Sequence, residues 1–187
     1  MTALVLGLLL FLGVHSTRVL APGWRDAQIA RIGPHAWKGL YALASLAGFV
    51  LLVWGYGQAR RAPIVLWTWP VDLRHLTALL VLIAFILLSA SQVGANAIQA
   101  KLQHPMLLGT KVWALAHLLV NNTLADVLLF GGFLLWAVLC FRSARRRGPV
   151  QVMVKPGRTA VAVVLGVVLW AGFAFWAHEA WIGVRPL

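Results

Sequence analysis

The sequence predicts an all-α integral membrane protein, a polytopic helical bundle with about six transmembrane helices. Three observations predict this fold class. Hydrophobic residues make up 61% of the 187 positions, only 4 Asp+Glu accompany 16 Lys+Arg, and the apolar residues fall into long runs. A run of about 18 or more apolar residues is long enough to cross the hydrocarbon core as a helix.

Six such runs follow one another, and the fourth is the shortest: 2–20, 37–57, 75–91, 105–120, 123–141 and 159–181. The first lacks the basic start and the small-x-small cleavage site of a signal peptide, so it is expected to be retained. We expect one membrane domain over 1–187, with a core at 1–148 and a final helix at 159–181. The basic tract 142–158 forms the boundary between them.

The connections between the runs are short. Residues 24–37 suit either a helix lying along the bilayer surface or an ordinary turn with interfacial aromatic residues. Trp67, Trp69 and Pro70 predict an aromatic anchor at the membrane surface. Only Asn121, Asn122 and Thr123 are expected between the fourth and fifth helices, which predicts a tight helical hairpin. The spacing of Thr123 and Asp126 predicts a helix cap.

The cations cluster in the odd-numbered connections. This is the positive-inside pattern, so we expect those connections in the cytoplasm and both termini in the periplasm. Membrane topology thus accounts for the formal charge of +12, and nucleic acid is not expected as a partner. Eleven cations belong to this set: Arg18, Arg25, Arg31, Lys38, Lys101, Arg142, Arg145, Arg146, Arg147, Lys155 and Arg158.

The acidic residues exclude several reaction classes. Asp26 and Asp72 fall in connections, Asp126 is expected to cap a helix, and Glu179 lies near the end of the last run. Paired acids, a nucleophile–histidine–acid triad and a phosphate-binding glycine loop are all missing from the sequence, which excludes glycosidase, acyl-transfer and phosphoryl-transfer schemes. The single Cys140 excludes an intrachain disulfide.

The six histidines carry the remaining chemistry, and two of them lie inside apolar runs. His117 shares a helix face with Thr110, Trp113 and Asn121. His15 lies one turn before Arg18, an arrangement that suits an axial ligand of haem iron beside a cation for a haem propionate. The alternative is that both histidines only form hydrogen bonds across the bundle. The other four are expected at the surface or at helix ends: His35, His75, His104 and His178.

His104 and His117 cannot serve one iron from one helix. Thirteen residues correspond to about 20 Å of rise and about 220° of rotation. A partner for His117 must therefore come from another helix. His15 is the leading candidate, while its different expected depth keeps His104 and His75 as alternative ligands.

Several motifs together resemble the NnrU family of bacterial membrane proteins, which is associated with nitrite and nitric oxide reduction. They are Leu9 to Ser16, Trp37 to Tyr41, Trp54 to Tyr56, and His104-Pro105-Met106 through Trp113-Ala114-Leu115-Ala116-His117 to Asp126. The match covers most of residues 1–148. It implies a bacterial inner-membrane location and redox or nitrogen-oxide reductase partners.

The same family includes the 15-cis-zeta-carotene isomerases, which bind haem b through histidine. Their motifs resemble His15-Ser16, His104-Pro105 to Gly109, and Trp113 to His117. The resemblance implies haem b as cofactor, His15 and His117 as iron ligands, and Arg18, Trp113 and His104 as further cofactor-binding residues. This chain has Ala114 where those isomerases carry a cysteine, and Gln103 where they carry an arginine.

Three functions follow as hypotheses. The first is a haem-dependent redox or isomerase activity on a lipid-soluble substrate. The second is a non-enzymatic helper for the assembly or function of nitrogen-oxide reductases. The third is a methyltransferase, because isoprenylcysteine methyltransferases share the His-Pro-x-x-x-Gly pattern. It is ranked last, because those enzymes follow the pattern with acidic residues, and the tract after Phe141 has none.

Overall fold

The computed structural model describes residues 1–68 and 72–187, and it is helical over most of that length. The segments are α1 (Thr2–Leu20), α2 (Pro22–Ile32), α3 (Pro34–Ala59), α4 (Arg74–Val93), α5 (Ala97–Leu102), α6 (Pro105–Leu118), α7 (Leu124–Arg146) and α8 (Arg158–Gly172), then a π-helical turn at Phe173–Ala177 and α9 (His178–Ile182).

Among the described residues, five stretches are long and apolar enough to cross a membrane: α1, α3, α4, α7 and the continuous run from α8 to α9. The protein is therefore a multi-pass membrane protein built from helices, as the sequence predicts. Five of the six predicted segments coincide with these stretches, with ends that differ by a few residues.

The helix boundaries follow from proline, glycine and polar caps. Prolines occupy the first turns of α2, α3 and α6, where the missing N–H has no intrahelical partner to lose. Gly33 ends α2 with a φ of 84°, a conformation that glycine adopts without a steric penalty. The residues predicted as either surface helix or turn thus form α2 and the start of α3.

The structure divides into two compact units. The first comprises residues 1–67 and 122–132, with α1 packed against α3. A Cβ on Gly7 would overlap the backbone of Leu52, and one on Gly55 would overlap the backbone of Leu4. Small residues allow backbones to approach this closely in membrane proteins. There, van der Waals packing drives helix association, whereas in water the burial of apolar surface drives it.

A cluster of hydrogen-bonded polar side chains lies at the end of α3 in the same unit. The Tyr56 hydroxyl donates to Asp126 Oδ1 at 2.5 Å. The other oxygen, Oδ2, accepts from the hydroxyl of Thr123 at 2.6 Å and from its backbone N–H at 3.1 Å, while the Asp126 N–H donates back to Thr123 Oγ1 at 3.3 Å. The predicted cap at the start of α7 is therefore confirmed, and the tyrosine adds a partner from α3.

The second unit comprises residues 68–121 and 133–187, and α4 packs against both α6 and α8. A Cβ on Gly109 of α6 would lie 3.0 Å from the Ala84 carbonyl, and one on Gly166 of α8 would lie 2.6 Å from the Ile86 Cα. Glycines thus allow close contact on both sides of α4.

The fourth predicted span is α6, and it is short. Its 14 residues rise about 21 Å, less than the roughly 30 Å of a hydrocarbon core. It nevertheless runs back along α4, because the Thr77 hydroxyl near the start of α4 donates to the Ala116 carbonyl near the end of α6 at 3.2 Å. The described chain therefore contains one further helical pass, α6, in addition to the five long stretches.

The tract after α7 is attached to its own unit. Lys155 N–H donates to the Ala95 carbonyl at 2.9 Å, and Val150 N–H donates to Gln103 Oε1 at 2.6 Å. The last helix is thus tied to the turn around α5. The single-domain assignment stays a prediction. Of the predicted aromatic anchor, Trp69 and Pro70 lie outside the described residues.

Candidate functional site

The last turn of α6 fixes the ring of His117. Its Nδ1 lies 2.8 Å from the Trp113 carbonyl, one turn earlier, so Nδ1 carries the proton and donates to that carbonyl. Nε2 is then the nitrogen with the lone pair. The indole of Trp113 lies 5.1 Å from the imidazole, with Phe133 at 5.6 Å on the indole edge, so the carbonyl and the ring of Trp113 both position His117.

His15 on α1 repeats this arrangement in the first unit. Its Nδ1 lies 2.7 Å from the Phe11 carbonyl, again four residues earlier, and again Nε2 retains the lone pair. The Phe11 ring lies 4.3 Å from the imidazole and the Tyr41 ring of α3 lies at 5.4 Å. Arg18, exposed in the last turn of α1, lies one turn further on.

His117 borders an apolar cavity of about 50 Å³. One water needs about 10–15 Å³ on the same volume scale, so the cavity has room for a few small atoms. The walls come from α4, α6, the π-helical turn and the C-terminal segment, and they include Thr77, Phe85, His117, Trp170, Phe173 and Pro186. Among the described residues that line it, His117 is the one ionisable side chain.

Two features of the last segment shape this cavity. Phe173 and Ala174, which line it, belong to the π-helical turn, and such turns often occur at functional sites. After α9 the chain folds back: the His178 ring bonds to the Val184 carbonyl at 2.6 Å, and Arg185 pairs with Glu179 at 2.8 Å. These contacts hold Pro186 at the edge of the cavity.

His104 lies at the opposite end of α6 from His117. Its ring meets the Phe141 ring edge-on at 6.0 Å, and its buried Nε2 has no hydrogen-bond partner among the described residues. Burial, with the charges of Arg147 and Arg145, lowers the pKa of His104. A separation of thirteen helical residues, about 20 Å, keeps it away from the turn that holds His117.

The remaining acids and histidines of the second unit are at the surface. Asp72 pairs with Arg74 at 2.6 Å, and hydrogen bonds from Arg74 lower the pKa of Asp72 to about 2. His75 is exposed in the first turn of α4. Within residues 1–68 and 72–187 no three His, Cys, Asp or Glu side chains converge on a common metal position.

A comparison with protein families assigns the chain. The family model described as "NnrU protein" matches residues 3–186, which is nearly the whole sequence. The chain belongs to the NnrU family. No curated protein and no solved structure matches it.

This NnrU chain brings its predicted site residues together only in part. Trp113 and His117 share one turn of α6, and His15 and Arg18 share one turn of α1, whereas His104 lies at the opposite end of α6 from His117. Sequence reasoning missed the cavity, because a π-helical turn leaves no residue signature. It also missed Tyr56, although a tyrosine in an apolar run needs a partner for its hydroxyl.

Proposed function

We propose that this NnrU protein binds haem b through His15 and His117. The observation that carries the proposal is the pair of matched histidine turns, in which Nδ1–H donates to the carbonyl four residues earlier. Histidines that ligate metals characteristically donate their other ring N–H to such an acceptor, which fixes the tautomer and the ring orientation.

The donor set suits a porphyrin iron. A haem would bring four ring nitrogens of its own as iron ligands, so one or two histidines from the protein would suffice, and no larger cluster of protein ligands would be required. The neutral Nε2 of each histidine is the form that binds iron. Arg18 is exposed one turn after His15 and supplies a cation for a propionate.

The protein's own residues divide the remaining tasks. Trp113 holds His117 in one tautomer, and the aromatic residues of the cavity give His117 apolar surroundings. Bound haem supplies a Lewis-acidic or electron-donating iron. The cavity accepts a small apolar molecule or the end of a lipid-soluble one, so we place the activity in redox or isomerisation chemistry on such a substrate.

The cation distribution supports a location in the bacterial inner membrane, with the basic connections facing the cytoplasm and both termini in the periplasm. From that membrane the protein would reach redox or nitrogen-oxide reductase partners. The association of the NnrU family with nitrite and nitric oxide reduction supports this part of the proposal.

Absorption spectroscopy of the detergent-purified protein from haem-replete cells tests the proposal. We expect a Soret band that is lost or shifted in His15→Ala and in His117→Ala. His35→Ala is the matched control, since His35 is exposed and should leave the spectrum unchanged. Far-UV circular dichroism of each variant checks that the helices remain.

A colourless wild-type protein would overturn the haem assignment and favour the non-enzymatic helper function. A Soret band that survives in both histidine variants would overturn the assignment of these ligands. Loss in only one variant would assign a single axial histidine and refute the paired arrangement.

A further inference from the structure

The two ends of the second unit carry different charge. At the end where α4 finishes and α8 begins, seven exposed cations lie without a carboxylate among the described residues; this set, called the basic end, is Lys101, Arg142, Arg145, Arg146, Arg147, Lys155 and Arg158. At the other end both acids are already paired, Asp72 with Arg74 and Glu179 with Arg185. The 20 residues of α4 separate these ends by about 30 Å.

Several contacts assemble the basic end into one place. The Arg158 guanidinium donates to the Val93 carbonyl at 2.6 Å, and the Ala97 N–H donates to Thr159 Oγ1 at 3.0 Å. Together with the bonds of Lys155 and Val150 to the α5 region, these contacts hold the start of α8 beside the end of α4. The charges are therefore fixed on folded backbone rather than spread along a free tail.

The α5–α6 turn joins the arginines of α7 to this group. The His104 ring meets the ring of Phe141 on α7 at 6.0 Å, one helical turn before Arg145, and Lys101 lies three residues before His104. Gln103 binds the N–H of Val150 in the tract that follows Arg147. The end of α7 with Arg145 and Arg147 therefore lies near the α5–α6 turn, and Lys101 lies in the last turn of α5 that leads into it.

Cations gathered at one end of a unit repel one another unless anions lie among them. Because α4, α7 and the continuous run from α8 to α9 are long enough to cross a membrane, their ends lie at its surface, where the abundant anions are lipid phosphates. Arginine presents a planar fork that binds phosphate through two parallel hydrogen bonds. Basic pockets at the ends of membrane helices bind anionic headgroups by this chemistry.

We propose that the basic end is a binding site for the phosphate of an anionic phospholipid headgroup, centred on Lys101, Arg145 and Arg147. The phosphate offsets the charge repulsion in this unit and fixes the α5–α6 turn against α7. The site is independent of haem binding, since it lies at the far end of α6 from His117.

Lipid titration of the purified full-length protein in detergent tests the site, with bound lipid counted by native mass spectrometry. The probes are dioleoyl phosphatidylglycerol, dioleoyl phosphatidylcholine and inorganic phosphate. We expect wild type to prefer phosphatidylglycerol over phosphatidylcholine by about tenfold or more, since each basic residue near an anionic surface is worth about fivefold. Thermal stabilisation should follow phosphatidylglycerol and not inorganic phosphate.

The deciding variant is Lys101→Gln with Arg145→Gln and Arg147→Gln, which should lose most of that preference. Its matched control removes the same charge from exposed cations of the first unit, by Arg31→Gln, Lys38→Gln and Arg61→Gln, and should retain it. If the triple variant does not fold, Arg145→Gln and Arg147→Gln alone should each weaken phosphatidylglycerol binding about fivefold.

Three results would overturn the proposal. They are equal binding of the two lipids by wild type, equal losses in the test and control variants, and stabilisation by inorganic phosphate that matches the effect of phosphatidylglycerol. The last result would assign the site to free phosphate instead of lipid.

Discussion

In the first unit the helix that carries His15 contacts α3 backbone to backbone, whereas in the second unit the helix that carries His117 borders a cavity. Glycines produce the close contacts in both units, at Gly7 and Gly55 in one and at Gly109 and Gly166 in the other. The second unit, however, leaves a cavity beside α4, and Thr77 and Phe85 of that helix line it. Two histidine turns with the same hydrogen bond thus have different surroundings.

This difference separates two tasks. A close-packed helix pair holds the His15 side chain in one position, because interiors at crystal-like density leave side chains little freedom. A cavity beside the second histidine leaves space for another molecule. The comparison predicts that added volume is poorly tolerated between α1 and α3 and well tolerated beside His117.

The largest expected effect is that of Gly55→Ala. A Cβ at this position would overlap the backbone of Leu4, which cannot move as a flexible side chain can. Overpacking of a core typically costs about 1–3 kcal/mol and occasionally more, and we expect a loss of about 3 kcal/mol or failure to fold. Thermal or denaturant unfolding of the purified protein measures it.

Gly57→Ala is the matched control for that change. It makes the same substitution in the same helix two residues later, where a Cβ would meet nothing within 4 Å. Alanine favours helix over glycine by up to about 1 kcal/mol, so the control should be neutral or slightly more stable. Equal changes in both variants would show that the approach of α1 does not restrict the volume available at Gly55.

A smaller effect is expected from Tyr56→Phe at the end of the same helix pair. The substitution keeps the ring but removes the hydrogen bond to Asp126, whose side chain is buried at 6% exposure. Leaving such an acceptor without its donor costs about 1–3 kcal/mol. Unfolding of Tyr56→Phe, Asp126→Asn and the double variant measures the coupling. Strictly additive losses would show that the two side chains do not stabilise each other.

Much of this fold could be predicted from sequence, because hydrocarbon imposes one rule. Every spanning segment must satisfy its own backbone, so long apolar runs become helices, and 2–20 is found as α1 with the predicted bounds. The cap at Thr123 and Asp126 was predictable because it needs only local spacing. Gly55 carries no comparable signal, since a glycine in a helix shows its purpose only when the partner helix is known.

The candidate site was predictable to a lesser degree. Periodicity singled out His15 and His117, and the i−4 carbonyl bonds of both follow from an imidazole placed on a helix in an apolar setting. The cavity depends on side chains from α4, α6 and the π-helical turn that are distant in sequence, such as Thr77 and Phe173. Their convergence is a property of the packed helices and not of any local pattern.

The smallest expected effect is that of valine at Ala78, beside the cavity of the second unit, and it is compared with valine at Ala84 in the same helix. Ala78 lines the cavity beside His117, while Ala84 is fully buried at 0% exposure against Gly109. Substituting valine adds the same two methyl groups and the same β-branch at each position. Ala84→Val should cost about 1–3 kcal/mol by overpacking, whereas Ala78→Val should change the free energy of unfolding by less than about 0.5 kcal/mol, because its methyl groups enter existing space. Thermal unfolding of both variants under one detergent condition gives the difference directly. An equal loss at Ala78 would mean that the helices close around His117 in solution, and the contrast between the two histidine turns would then disappear.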